Sequence, residues 1–156
     1  MDSLKAELDK YNAKSDTVTS YEQLIQANTA VAGGDFATAK TLLGSVNADL
    51  LSTNAKAMYD NLNTAINADT LNSSFAAGKD AFDKSDYQGA VTQFQAVVAL
   101  QPDFQNGEAM YRLAESFDKL GQYDDAITYY NKISEILPDS SLAKKAAGRA
   151  TAAQKK

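Results

Sequence analysis

The sequence predicts an all-α fold in which helix hairpins stack in series and a last helix closes the stack. Three observations carry this. Of 156 residues, 27 are alanine, the strongest helix former and small enough to let helices approach closely. β-branched residues are scattered, and no alternating run is long enough to make a strand. Finally, the chain repeats itself. SFAAGKDAFDKSDYQGAVTQFQAVVALQPD aligns with AMYRLAESFDKLGQYDDAITYYNKISEILPD, setting Tyr87 on Tyr123, Ala90 on Ala126, Phe94 on Tyr130 and Pro102 on Pro138, each pair 36 positions apart.

Taken in order, the first element is a short polar helix at 4–13, within a lead-in of residues 1–18. Thr19 and Glu22 have capping-box spacing and predict the start of a first, degenerate repeat over 19–51. Gly33-Gly34 make its turn, with Phe36, Ala39 and Leu43 in the positions of the later repeats. Residues 52–70 are additional. Ala55, Met58, Leu62, Ala65 and Ile66 fall on one helical face. A separate antiparallel helix here would reverse every later helix, whereas one helix over 53–84, roughly 48 Å long, serves as the first helix of the next repeat. Asp69, Asn72, Ser73 and Ser74 are where such a helix would be weakest. The second repeat then covers 71–104 and the third 105–138, each a helix, a polar turn, a second helix and a proline stop. Asp139 is placed to cap a final helix over 139–156, whose Leu142, Ala146 and Ala150 would cover the apolar edge of the third repeat.

The repeated residues resemble the tetratricopeptide repeat family. The resemblance rests on the small residues Gly78 and Ala114, the aromatics Tyr87 and Tyr123, and the crossing residues Ala90 and Ala126. Phe94 and Tyr130 one turn later and the closing Pro102 and Pro138 complete it. It implies a right-handed superhelical α-solenoid with a C-terminal capping helix, lined on its inner face by the first helix of each repeat. Two features depart from the family pattern. The third repeat carries two extra residues in PDFQNGEAM, and the first has Leu50-Leu51 where the proline should stand.

Composition excludes much chemistry. The chain has no Cys and no His, which removes thiolate zinc and iron–sulfur sites, cysteine nucleophiles, Ser-His-Asp triads and two-His metal sites. Lys plus Arg number 15 against 20 Asp plus Glu, a net charge of −5, and such a chain is not expected to bind nucleic acid. Residues 103–139 hold eight acids against three cations, and 140–156 hold five cations (Lys144, Lys145, Arg149, Lys155, Lys156) and no acid. Those cations suit a helix C-terminus, or would make a basic docking tail. No stretch is long and apolar enough for a membrane span, and the opening MDSLKAELDKYNAK has no signal-peptide core.

Motifs for chemistry fail on spacing. Gly33-Gly34-Asp35 lacks both the glycine pattern of a dinucleotide loop and the Lys-Ser/Thr of a P-loop. Asp80, Asp83 and Asp86 recur every third residue, unlike the alternate ligands of a calcium loop. Asp124-Asp125 suit a helix first turn. The chain is therefore expected to be non-catalytic, with no cofactor and no metal. Helical spacing instead places Phe75, Lys79 and Phe82 on one face of the second repeat, and Glu108, Tyr111, Glu115 and Asp118 on the equivalent face of the third, with Arg112 beside them. Aromatic rings flanked by charges suit a groove for an extended peptide or partner helix.

The resemblance implies which partners to consider. Some family members clamp a terminal carboxylate with Lys, Asn and Arg; here Arg112 matches, Lys79 substitutes in part, and Ala76 stands where the Asn belongs. The acidic third repeat would favour a basic or neutral partner. ESFDKLGQYDDAITYYNKISEILPDSSLAKKA is similar to repeats of bacterial envelope proteins, which implies an extracytoplasmic soluble part of an anchored protein; a cytoplasmic protein is the alternative. The expectation is a monomeric protein-binding scaffold. A structural spacer or self-association module is the competing reading.

Overall fold

A computed structural model describes residues 2–155, the side chains of 2, 3, 5–9 and 11 excepted. Lys156, the last of the basic run, lies outside the described residues, as does Met1. The described residues form helices and turns with no strand among them. The elements are α1 (Asp2–Ala32), α2 (Phe36–Gly44), a 3-10 turn (Ala48–Leu50), α3 (Thr53–Asp83), α4 (Tyr87–Leu100), α5 (Glu108–Lys119), α6 (Tyr123–Ile136) and α7 (Ser141–Ala153). They divide into two compact units, one ending at Asp69 and one beginning at Thr70.

In the first unit α1 and α2 make a hairpin whose turn depends on Gly34 at φ 78°, a conformation glycine adopts without a Cβ penalty. Asp35 starts α2 by accepting the Thr38 N–H at 3.0 Å. That bond favours the ionised carboxylate and holds its pKa below the usual range. Leu24, Ala27, Ala39, Leu43, Val46, Leu51, Leu62 and Ile66 form the core. The segment after α2 is tied back to α1, because the Ser20 hydroxyl accepts from the Asn47 N–H at 3.2 Å and the Tyr21 hydroxyl from the Ser52 N–H at 2.8 Å. Where the later repeats use proline, the first ends on Leu51, buried in this core.

Two expectations about helix starts are corrected. Thr19 does not open a helix: α1 runs through it, and its hydroxyl donates back to the Ser15 carbonyl at 3.1 Å. Such an i−4 bond leaves the backbone helical. Likewise α7 is capped by Ser140, not Asp139, with the Ser140 hydroxyl accepting the Ala143 N–H at 2.9 Å. Meanwhile α3 passes through Asn72, Ser73 and Ser74 without a break.

In the second unit the later part of α3 packs on α4, then α5, α6 and α7 follow in antiparallel succession, each against the one before. The small residues work as their spacing requires. Ala90, Ala114, Ala126 and Ala146 are fully buried at helix crossings. At Gly78 a Cβ would stand 2.8 Å from the Phe94 ring, so only glycine lets α3 close on α4. Before Pro102, Gln101 is extended at φ −148° and ψ 97°, which ends α4. The two extra residues of the third repeat form a left-handed turn, with Gln105, Asn106 and Gly107 at φ 53°, 55° and 83°. Gly107 is hemmed in: a Cβ would meet Leu137 at 2.9 Å and Leu142 at 3.4 Å.

Candidate functional site

The first helices of the hairpins in the second unit present one row of aromatic and charged side chains, from the later part of α3 across α5 to α7. At the α3 end Phe75 meets Phe94 edge-on at 5.9 Å and Phe104 at 5.4 Å. Phe104 comes from the loop before α5, whose left-handed turn sets it there. Lys79 lies over the Phe75 ring at 5.8 Å. One turn on, Phe82 packs edge-on against Tyr87 at 5.3 Å, and the Arg112 guanidinium lies over the Phe82 ring at 5.6 Å. Both rings are half-buried, so each offers one face to the helices beneath and one to the row above.

Arg112 is the centre of the row. Its Nε donates to Glu108 at 2.8 Å, and its guanidinium also reaches Glu115 at 3.4 Å. These are i−4 and i+3 neighbours on α5, the spacing that puts helix side chains in contact. Glu115 is approached from the other side by Arg149 of α7 at 3.8 Å. Phe82, Arg112, Glu115 and Arg149 therefore form a continuous chain of pairs across three helices. All three charged members are partly screened by the surface, so each pair contributes about 1 kcal/mol or less. What the chain of pairs provides is orientation.

Tyr111 is not on this surface. It is 1% exposed, with Tyr130 5.6 Å away and Lys145 of α7 over its ring at 4.3 Å. The expectation that Tyr111 would line the groove is corrected by α7, which roofs it. Sequence periodicity finds the apolar stripe of α5 but not the roof, because Lys145 belongs to a different helix. The hydroxyls of Tyr111 and Tyr130 are both buried without a hydrogen-bond partner among the described residues. Burial, reinforced by the Glu115 carboxylate, drives the Tyr130 phenol well above its ordinary pKa.

Charges from neighbouring helices meet along this row. Glu108 and Glu115 are engaged by Arg112 and Arg149, while Lys79 and Lys145 stand over aromatic rings. Arg149 and Lys145 were missed as members of this row. Their i, i+4 spacing puts them on one face of α7 but does not show that this face meets α5. Among the described residues there is no cluster of acidic side chains arranged for a metal ion, and no helix long and apolar enough to cross a membrane.

A tetratricopeptide repeat family model matches residues 81–150, which runs from the end of α3 to the last turns of α7. No curated protein matches the chain.

Proposed function

We propose that this chain is a non-catalytic protein-interaction module, and that its binding face is the row carried by α3, α5 and α7. Tetratricopeptide repeats generally mediate contacts between proteins, and residues 81–150 match that family. The observation that carries the assignment to this face is the chain of pairs Phe82–Arg112–Glu115–Arg149. It fixes charged groups over half-buried rings, which suits an extended peptide more than a nucleic acid or a small substrate. Of the residues predicted from sequence, Phe75, Lys79, Phe82, Glu108, Arg112 and Glu115 make the face, and Tyr111 supports it from below.

Glu108 and Glu115 are paired with arginines and Asp118 adds a further acid to this face, so a basic or neutral peptide is the partner it suits. The resemblance of residues 115–146 to envelope-protein repeats supports an extracytoplasmic setting for the chain as part of an anchored protein. Lys79→Glu combined with Arg112→Glu tests the face, since both positions are at least partly exposed. Capture of the native partner should fall at least tenfold while helicity is kept and the melting temperature falls only by the few degrees that loss of the Arg112 pairs costs; undiminished capture overturns the assignment. Tyr111→Glu is unsuitable, because it buries a charge in the core.

A further inference from the structure

The second helices of the hairpins carry a different surface. Between α4 and α6, with Met110 of α5 as its floor, lies an open groove of about 420 Å³. Val98, Pro102, Tyr129 and Ile136 make its walls, and Lys132 stands on its rim with its ammonium 4.9 Å from the Tyr129 ring centre. Elsewhere on the chain α1 exposes an apolar ridge. Val18 is 51% exposed and Ile25 61%, large fractions for β-branched aliphatic side chains. Lys14 and Glu22, both exposed, share that face of α1 by their 3.6-residue spacing.

Val18 and Ile25 of the ridge are seven residues apart, as are Tyr129 and Ile136 of the groove wall. Shifted by 111 positions, Val18 falls on Tyr129, Ile25 on Ile136 and Lys14 on Asp125; Glu22 falls one residue from Lys132. In both helices the two charges are about 10–12 Å apart along the axis, with opposite order of sign. Laid parallel on α6, α1 would put Val18 on Tyr129 and Ile25 on Ile136, with Lys14 at Asp125 in the first turn of α6 and Glu22 within one residue of Lys132. We infer that α1 of one copy docks in the α4–α6 groove of a second copy. The same chain carries both complements, so the second copy is the occupant the pattern selects.

Such a contact joins one surface of the chain to a different one. It uses none of the residues in the proposed partner-binding face, so the two readings fail separately. Sedimentation of the full chain over about a hundredfold concentration range should show the average mass rising about twofold or more. Val18→Asp with Ile25→Asp removes the ridge, and Ile136→Asp spoils the groove. All three positions are exposed, so the fold should survive, and circular dichroism checks that it does.

Each variant alone should stay monomeric. Mixed in equal amounts, they should recover association only as far as a dimer, because the mixture contains one sound ridge and one sound groove. Glu22→Lys and Lys132→Glu should each weaken assembly, and together restore it. A wild-type chain monomeric throughout, a mixture that remains monomeric, or assembly unaffected by the ridge variant would each overturn the inference.

Discussion

Single residues decide how each hairpin turns, and three turns allow a comparison. Gly34, Ser85 and Gly121 occupy the left-handed position at φ 78°, 64° and 77°. Asp35 and Asp86 then accept an N–H from the first turn of the next helix, whereas Gln122 makes no such bond. Gln122→Asp should therefore stabilise the protein by about 1 kcal/mol, and Ser85→Gly by about 0.5–1 kcal/mol, both visible as higher melting temperatures. Gly-Asp-Phe at 34–36 and Ser-Asp-Tyr at 85–87 sit at matching places in the repeats, so the two Asp caps share one sequence signal. The Ser140 cap was not legible, because Asp139 and Ser140 are adjacent and either can cap.

Tyr130 supplies a second test at this scale. Its hydroxyl is buried without a partner, so Tyr130→Phe should be neutral to stabilising. The folded pKa of this phenol is raised, so the folded state keeps its proton when the unfolded chain loses it. The contribution is intact below the ordinary tyrosine value near 10 and is lost as pH climbs from there toward the folded pKa. Wild type should accordingly lose stability steeply above about pH 10, and the Phe variant should lose it less steeply in the same range.

Helices were legible in type and less so in extent. The hairpins α4 and α5–α6 follow from proline stops, polar turns and the 36-residue offset, which are local signals. At the front of the chain the capping-box spacing of Thr19 and Glu22 suggested a boundary that α1 does not have. A capping box needs the backbone to leave the helix, and nothing between residues 14 and 20 forces it out. Glycine and proline are absent there. The middle of α3 makes the converse case, since Asn72, Ser73 and Ser74 have low propensity yet remain helical. Packing on either side outweighs a cost of about 0.5 kcal/mol per residue. Ser73→Pro is beyond that tolerance: it removes an intrahelical bond and should cost about 3 kcal/mol, with loss of helical signal at 222 nm.

For the molecule as a whole, the two units have cores built from separate lists of residues. Every buried member of one core precedes Thr70, and every buried member of the other follows it. Unfolding should then depart from a single two-state transition. Leu62→Ala, about 2–5 kcal/mol, should lower amide protection within 20–66 and leave 90–150 unchanged. Phe94→Ala, about 3–5 kcal/mol, should do the reverse. Uniform loss of protection in either variant would mean one cooperative unit. The site was legible where one helix supplied it, as with Arg112 between Glu108 and Glu115. It was illegible where α7 completed it, because Lys145 and Arg149 meet α5 only through the fold.

The lysine roof over Tyr111 gives the protein a spectroscopic signature of its own. The chain has eight tyrosines and no tryptophan, so its near-ultraviolet signal is not swamped by indole. Tyr111 and Tyr130 are held 5.6 Å apart at 58° in a buried and therefore chiral arrangement, and rings fixed in this way dominate near-ultraviolet dichroism while mobile surface rings average toward zero. Detachment of α7 would uncover Tyr111 and weaken that band while most far-ultraviolet helix signal remained. The docking of a single terminal helix can thus be followed optically, without a label.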